Sequence, residues 1–229
     1  MLKWLLQWIH IVISKHRYVK WIIFCFFITL PAQSATSTQV ISQNEINVAS
    51  KKYGVLAVRR MQALLSLIAE NSNRPERLKI NLVNDFFSKV TYTEDKQVWG
   101  VNDFWSTPAE LLAKDKGDAE DFAIAKYFTL IAMGVDEKKL YFSYVTATRI
   151  KRSHMVLTYF RTPTSEPLVL DSLTDRVLKA SVRSDLIPIY SFNAKDLRDS
   201  TQASSKQGFE SSMHLWGQMI NRMQQGILK

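Results

Sequence analysis

Cysteine is nearly absent from this 229-residue sequence, in which Cys25 is the only one. A single thiol excludes an internal disulfide framework. Histidine is also scarce, and the four present do not combine with cysteine at the spacing of a zinc site. The sequence therefore predicts neither a disulfide nor bound zinc, and it leaves the redox state of the compartment open.

Acidic residues are missing from the first 35 positions, which carry Lys3, Lys15, Arg17 and Lys20. The formal net charge of +9 leaves about +5 for the rest of the chain (9 − 4), a mild basic excess. No dense basic stripe or nucleic-acid-binding motif accompanies it, so we expect no nucleic-acid partner. An apolar content of 46% and an aromatic content of 11% exclude global disorder and allow one packed domain.

The N-terminal region has the pattern of an export signal. Basic residues precede the ten-residue run W-I-I-F-C-F-F-I-T-L, and the small residues of P-A-Q-S-A follow it. We predict an export signal with an N-terminal extension over residues 1–35, with cleavage around Ala32 to Ala35. The run is shorter than the about 20 residues of a spanning helix, although an uncleaved anchor is an alternative. Cys25 lies inside the run, so the mature chain would have no thiol.

The remaining chain divides into a Ser/Thr-rich linker at residues 36–47 and one domain at residues 48–229. Helical spacing of apolar residues is followed, after Gly134, by period-two alternation typical of strands. We predict helices at 48–70, 75–90, a short one capped by Thr107, 119–133 and 209–227. We predict strands at 139–148, 153–160, 166–172 and 186–192. Helices before an antiparallel sheet define an α+β fold.

His154 and Asp171 lie on successive predicted strands. A hairpin loop centred between Thr162 and Pro163 pairs residues whose numbers sum to 325, which makes His154 and Asp171 cross-strand neighbours on one face. A carboxylate there would fix the imidazole tautomer and leave one nitrogen free as a base. A strand histidine with an incidental acid opposite it is the alternative reading of this pair alone.

The stretch G-D-A-E-D-F-A places Ala119 at the start of a helix capped by Asp118. Unpaired backbone N–H groups and the helix dipole at such a position lower a cysteine pKa and can hold an oxyanion. Cysteine at a helix start, followed by histidine and aspartate on successive strands, is the arrangement of papain-like and transglutaminase-like enzymes. Ala119 occupies the cysteine position of that arrangement.

The segment around this turn, from W-G-V-N-D-F-W to G-D-A-E-D-F-A, resembles the bacterial transglutaminase-like cysteine proteinases, as do S-H-M-V-L and L-D-S farther on. The resemblance covers about residues 48–223. It implies a papain-like core whose central helix packs on an antiparallel sheet, with a C-terminal helix. It also implies a nucleophilic cysteine at the position of Ala119, His154 as base and Asp171 as orienting residue. The chain as written is expected to be inactive, and its otherwise intact motif favours deliberate inactivation over a natural pseudoenzyme.

Acidic residues crowd the same helix start, at Asp118, Glu120 and Asp121. Capping explains one or two of them, but three negative charges would raise the pKa of a neighbouring thiol. A cation would relieve that penalty, and Ca²⁺ prefers carboxylate and carbonyl oxygens. The resemblance implies Ca²⁺ as cofactor with Asp118 and Glu120 as ligands. We add Asp103 and Asn102 from the preceding loop as further candidate ligands.

The resemblance implies a calcium-dependent periplasmic endopeptidase. It would cleave a large surface adhesin near its N-terminus at a di-alanine site and so promote biofilm dispersal. An inner-membrane receptor that senses cyclic di-GMP would control it through a periplasmic domain. A binding-only pseudoenzyme is one alternative, and a transglutaminase or amidase is another because acyl transfer to an amine uses the same triad.

Overall fold

The computed structural model of the protein describes residues 39–195 and 209–229. The predicted export signal, Cys25 and the first part of the predicted linker lie outside the described residues. In the part of the chain that is described, no helix is both long and apolar enough to cross a membrane.

The fold is α+β, as predicted, with helices preceding a five-stranded antiparallel sheet in the order β6-β5-β4-β3-β7. The α-helices are α1 (Gln43–Lys52), α2 (Val55–Asn71), α3 (Glu76–Phe87), α4 (Asp95–Val98), α5 (Pro108–Lys114), α6 (Ala119–Ala132) and α7 (Phe209–Gln225). The strands are β1 (Thr91–Tyr92), β2 (Lys116–Gly117), β3 (Leu140–Ala147), β4 (Arg152–Tyr159), β5 (Leu168–Leu170), β6 (Leu178–Lys179) and β7 (Leu186–Phe192). Strands β1 and β2 form a separate parallel pair.

The first described helix corrects the predicted linker at residues 36–47, because α1 begins inside it at Gln43. Ser42 caps this helix: its hydroxyl accepts from the amide of Glu45, and the Glu45 carboxylate accepts from the amide of Ser42 at 2.7 Å. Val40 and Ile41 just before the cap are buried in the core. The polar composition of the segment concealed this capping box and the aliphatic pair that anchors it.

The predicted helix at 48–70 is two helices, because the chain turns at Gly54. The φ angle of Gly54 is 80°, a conformation that costs little only for glycine. Apolar spacing continues through Gly54, so periodicity alone merged α1 and α2.

Helix α6 is the central element and is buried on nearly every side, as its apolar composition predicts. It packs against β4, α3 and α5. Helix α7 closes the core through Trp216, whose ring stacks on Phe128 of α6 at 5.7 Å and meets Phe142 of β3 edge-on. The sequence from α6 onward therefore forms a helix-on-sheet core in which the start of α6 lies beside β4.

The pairing of β4 with β5 differs by two residues from the predicted register. Leu157 pairs with Leu170 and Thr158 with Val169, so paired numbers sum to 327 and the predicted cross-strand pairing of His154 with Asp171 was wrong. The hairpin is centred one residue later than predicted. An even offset keeps a side chain on the same face of a sheet, so His154 and Asp171 still lie on one side.

Candidate active site

His154 and Asp171 form a buried hydrogen-bonded pair. The Nε2 atom of His154 lies 2.6 Å from Oδ1 of Asp171, just past the end of β5, and both side chains are excluded from solvent. The Nδ1 atom of His154 is buried and has no hydrogen-bond partner among the described residues. An ionised Asp171 accepts from Nε2–H, and this tautomer leaves the lone pair on Nδ1 free to take a proton.

Arg183 holds the other side of the Asp171 carboxylate, a contact that the sequence analysis missed. Its Nη2 donates to Oδ2 of Asp171 at 2.6 Å and to Asp185 at 3.0 Å. Burial alone would raise the pKa of Asp171, but hydrogen bonds from His154, the amide of Leu173 and Arg183 outweigh it and hold that pKa below its usual range. Asp171 therefore stays ionised as the partner of His154. No local sequence motif indicates that Arg183 contacts Asp171.

Ala119 is the first residue of α6 and is buried. Helix α6 packs against β4, the strand that carries His154, and the charge of Glu120 interacts with His154. Position 119 thus combines a helix N-terminus with a nearby buried imidazole. A thiol at this position could act as a nucleophile, whereas the methyl group of Ala119 cannot.

Three carboxylates gather beside this helix start. Ligand oxygens of Asp95, Asp118 and Asp121 all lie within 4.8 Å of one another. Asp121 accepts from the amide of Ser106 at 2.6 Å and from that of Asp118 at 3.4 Å, and Asp95 accepts from the amide of Phe104 at 2.5 Å. Oδ1 of Asp95 and Oδ1 of Asp118 are buried without a hydrogen-bond partner in the part of the chain described here.

The ionised forms of these carboxylates are disfavoured by burial and by mutual repulsion. Burial, with added repulsion from Glu120, raises the pKa of Asp95 to about 7 and that of Asp118 to about 10. Burial also raises the pKa of Asp121 and of Glu120. A divalent cation among them would favour the ionised forms, and two unpaired carboxylate oxygens are donors that Ca²⁺ prefers. The residues present therefore fit a calcium ion.

The predicted calcium ligands are only partly brought together. Asp118 belongs to the close cluster, and Glu120 is half-buried and close enough for its charge to raise the pKa of Asp118. Asp103 is not one of the three clustered acids, although its charge interacts with Asp95 and Glu120. Asn102 and Asp103 lie on an exposed loop, where solvent competes for their side chains.

Asp95 was missed because it lies on α4, outside the motif around Ala119. Asp121 was counted among the three acids at the helix start but was not named as a calcium ligand. The tertiary contact through Phe104 and Ser106, rather than any sequence spacing, brings Asp95 to the start of α6.

The loop that joins these acids is fastened by the C-terminal helix. Arg222 of α7 donates to the carbonyl oxygen of Trp105 at 2.5 Å and to the buried carboxylate of Glu110 at 3.1 Å. Its guanidinium group also lies over the ring of Phe104, 4.2 Å from the centroid. Since the amides of Phe104 and Ser106 bind Asp95 and Asp121, α7 supports the acidic cluster through this loop.

The helix start, the buried histidine–aspartate pair and the α+β fold together form the arrangement found in papain-like acyl-transfer enzymes. Residues 62–185 match the family described as bacterial transglutaminase-like cysteine proteinase BTLCP. The chain belongs to this family, which confirms the resemblance found in the sequence. No curated protein matches the chain.

Solved structures of LapG from Legionella pneumophila are similar to this chain over almost their whole length. One is 36% identical, covers 80% of this chain and 98% of its own, and has a TM-score of 0.64. A calcium-bound LapG structure is 36% identical, with coverage of 80% and 99% and a TM-score of 0.65. An EGTA-treated LapG structure is 37% identical, with coverage of 80% and 98% and the same TM-score. The fold is therefore the transglutaminase-like fold that the sequence predicts.

Proposed function

We propose that this chain has the site of a calcium-dependent cysteine endopeptidase, and that Ala119 makes it inactive as written. The observation that carries the proposal is the His154 side chain. Its Nε2 is held by Asp171, and its Nδ1 is buried without a hydrogen-bond partner in residues 39–195 and 209–229. His154 lies on β4, the strand that packs against the helix starting at position 119. The family relationship favours peptide hydrolysis over other acyl transfers.

The chemistry follows from a cysteine at position 119. Nδ1 of His154 takes the thiol proton, and the thiolate attacks the scissile carbonyl carbon. Backbone N–H groups at the start of α6 stabilise the oxyanion that forms. Collapse of this intermediate breaks the C–N bond, and His154 returns the proton to the leaving amine. Water, deprotonated by Nδ1, then hydrolyses the thioester and restores the thiol.

Asp171 and Arg183 support this cycle without touching the substrate. The Asp171 carboxylate keeps the proton of neutral His154 on Nε2 and stabilises the imidazolium that forms during acylation. Arg183 keeps Asp171 ionised and fixes its second oxygen. Arg183, in the turn before β7, thus supports the triad through Asp171.

Asp95 and Asp118, with Asp121 and Glu120 beside them, would hold the calcium ion. Bound calcium would supply positive charge that offsets the repulsion between these acids and a thiolate at position 119. Calcium-bound and EGTA-treated structures of the similar LapG support the choice of calcium as the ion.

The proposed substrate is a large surface adhesin, cut near its N-terminus at a di-alanine site, and the proposed setting is the periplasm. We further propose that an inner-membrane receptor sensing cyclic di-GMP sequesters the enzyme and so regulates biofilm dispersal. The family motif around Ala119 and the predicted export signal support these assignments.

The test is cleavage of a recombinant N-terminal adhesin fragment by the Ala119→Cys protein in the presence of calcium. We expect cleavage, a loss on the order of 10⁴-fold with His154→Ala and a smaller loss with Asp171→Ala. Ala123→Cys is the matched control, because it places a thiol at another buried alanine of α6 and should give no activity.

The same assay separates the alternatives. Incorporation of an amine in place of hydrolysis would support a transglutaminase. Adhesin binding without cleavage by the Ala119→Cys protein would support a binding-only pseudoenzyme. Full activity of the His154→Ala variant in that background would overturn the assigned base.

A further inference from the structure

Helix α6 carries a buried lysine that the proposed mechanism does not use. Lys126 is 1% exposed, and its Nζ donates to Oδ1 of Asn84 at 2.9 Å and to the backbone carbonyl oxygen of Asp171 at 3.0 Å. Asn84 of α3 is also buried, and its Nδ2 donates to the carbonyl oxygen of Asp175 at 2.7 Å. Together Lys126 and Asn84 hold the loop after β5 at two points.

This lysine is costly for the fold. Burial lowers the pKa of Lys126 to about 7, although the negative charge of Asp171 partly opposes this shift. The acceptors that it reaches are an amide oxygen and a peptide oxygen rather than a carboxylate. An apolar side chain of similar length would fill the same space without that desolvation cost. Lys126 therefore calls for an explanation other than packing.

The position of Lys126 in α6 suggests such an explanation. Residues 119 and 126 are seven apart, about two turns, and so lie on the same face of α6. One end of that face holds the nucleophile position, and the other holds the backbone of Asp171, whose carboxylate binds His154. A single rigid helix thereby sets the nucleophile position and the orienting carboxylate relative to each other.

We propose that Lys126 and Asn84 are positioning residues that fix the backbone of Asp171, so that its carboxylate stays on Nε2 of His154 and Nδ1 remains free toward position 119. The expected effect of these residues on catalysis rests on the proposed function, whereas their expected effect on the tautomer of His154 does not.

The chain provides a matched control in Lys79. Lys79 is also buried, at 6% exposed, and its Nζ donates to a backbone carbonyl oxygen, that of Met133 at the end of α6. Lys79→Met and Lys126→Met therefore remove the same group from similar surroundings. Of these two lysines, Lys126 is the one that donates a hydrogen bond to Asp171. If the loss of any buried lysine disturbed His154, both variants would show the effect.

The first measurement uses the Ala119 protein itself, with its histidines labelled with ¹⁵N, in the presence of calcium. We expect the imidazole nitrogen shifts of neutral His154 to report a single Nε2–H tautomer, with a slowly exchanging N–H proton. In Lys126→Met we expect a mixture of tautomers and faster exchange, and in Lys79→Met an unchanged spectrum. An unchanged His154 spectrum in a folded Lys126→Met protein would overturn the proposal. Asn84→Leu is a second variant with the same expected and overturning results.

The second measurement uses the Ala119→Cys background and the adhesin fragment. We expect Lys126→Met to lower kcat by about 10- to 100-fold with KM changed by less than about twofold, because misplacement of a catalytic group affects the chemical step. Lys79→Met should change kcat by less than about twofold. Equal losses in both variants would assign Lys126 to stability alone. If Ala119→Cys shows no cleavage, the proposed function fails, while the histidine spectra still decide the role of Lys126.

Discussion

Calcium should stabilise this chain even though it lacks a nucleophile. Oδ1 of Asp95 and Oδ1 of Asp118 are buried without hydrogen-bond partners within the described residues. One carboxylate oxygen from each of Asp95, Asp118 and Asp121 lies within 4.8 Å of the other two. A ligand that binds only the folded state stabilises by about 2.7 kcal/mol at a hundredfold excess over its Kd. For a domain of this size, that corresponds to a rise in Tm of roughly 5–10 °C. Scanning calorimetry with calcium, and then with EGTA, measures the shift and its reversal.

The calcium effect should depend on pH. The folded-state pKa of Asp95 is about 7, above the ordinary value of 3.8, so the neutral carboxyl is favoured by folding. Its contribution to stability is present at low pH and is lost as pH rises through 7. Ionisation of Asp95 alone would lower the free energy of unfolding by about 2–3 kcal/mol between pH 5 and pH 8. The calcium-free Tm should therefore fall over this range, and the calcium-induced rise should be larger at pH 8 than at pH 5.

Variants test whether the acidic cluster is responsible. Asp95→Asn and Asp118→Asn should each remove most of the calcium-induced shift. Glu45→Gln is the matched control, because Glu45 is also buried, has a raised pKa and has an unpaired oxygen, but is not one of the clustered acids. Magnesium should replace calcium poorly because it requires a tighter octahedral shell. A Tm that responds to neither millimolar calcium nor EGTA would refute the calcium site and leave the acids as helix caps.

Two further predictions concern binding and packing. The Ala119 protein should bind the adhesin fragment and the receptor's periplasmic domain with Kd values within about twofold of those of Ala119→Cys, since one thiol adds little to a surface. Calorimetric titration measures these Kd values. Binding by the Ala119→Cys protein alone would contradict the prediction. Gly117→Ala should lower the free energy of unfolding by about 1–3 kcal/mol in denaturant titration. The reason is that a Cβ there would lie 2.5 Å from Leu111 Cδ1 and 2.6 Å from Asp121 Oδ2. Gly217→Ala, where a Cβ meets nothing within 4 Å, should not be destabilising, and an equal loss in both would remove the steric explanation.

Local signals explain which parts of the fold could be predicted. Thr107, Pro108 and Glu110 form a capping box at the start of α5, and Asp118 precedes α6, so both helix starts are encoded within a few residues. Strand alternation likewise located β3 and β4. The junction at Gly54 was missed because apolar periodicity does not register the single positive φ angle that ends α1.

The face shared by His154 and Asp171 was predictable although their pairing was not. Alternation fixes which side of a strand each residue faces, and an error of two residues in the hairpin preserves that side. Their contact is therefore diagonal rather than directly cross-strand. An error of one residue would have separated the two side chains across the sheet.

Long-range contacts supply what local patterns could not. Asp95 reaches the helix start through the amide of Phe104, Arg183 reaches Asp171 from the turn before β7, and Lys126 reaches it from within α6. None of these partners adjoins its target in sequence, and each contact forms only in the folded chain. A single sequence indicates the residue types at such a site, but it does not indicate which of them come into contact in the folded chain.

The same contacts explain how the site keeps its hydrogen bonds with alanine at position 119. The hydrogen bonds that hold His154, Asp171 and Asp121 come from one another, from Arg183 and from backbone amides, and none requires a side-chain group at position 119. Alanine has high helix propensity and fits the buried first turn of α6. Replacing a thiol by a methyl group there removes the reacting atom and leaves the orienting network in place. We therefore expect the Ala119 protein to keep the geometry of the site and to bind the proposed adhesin substrate without cutting it.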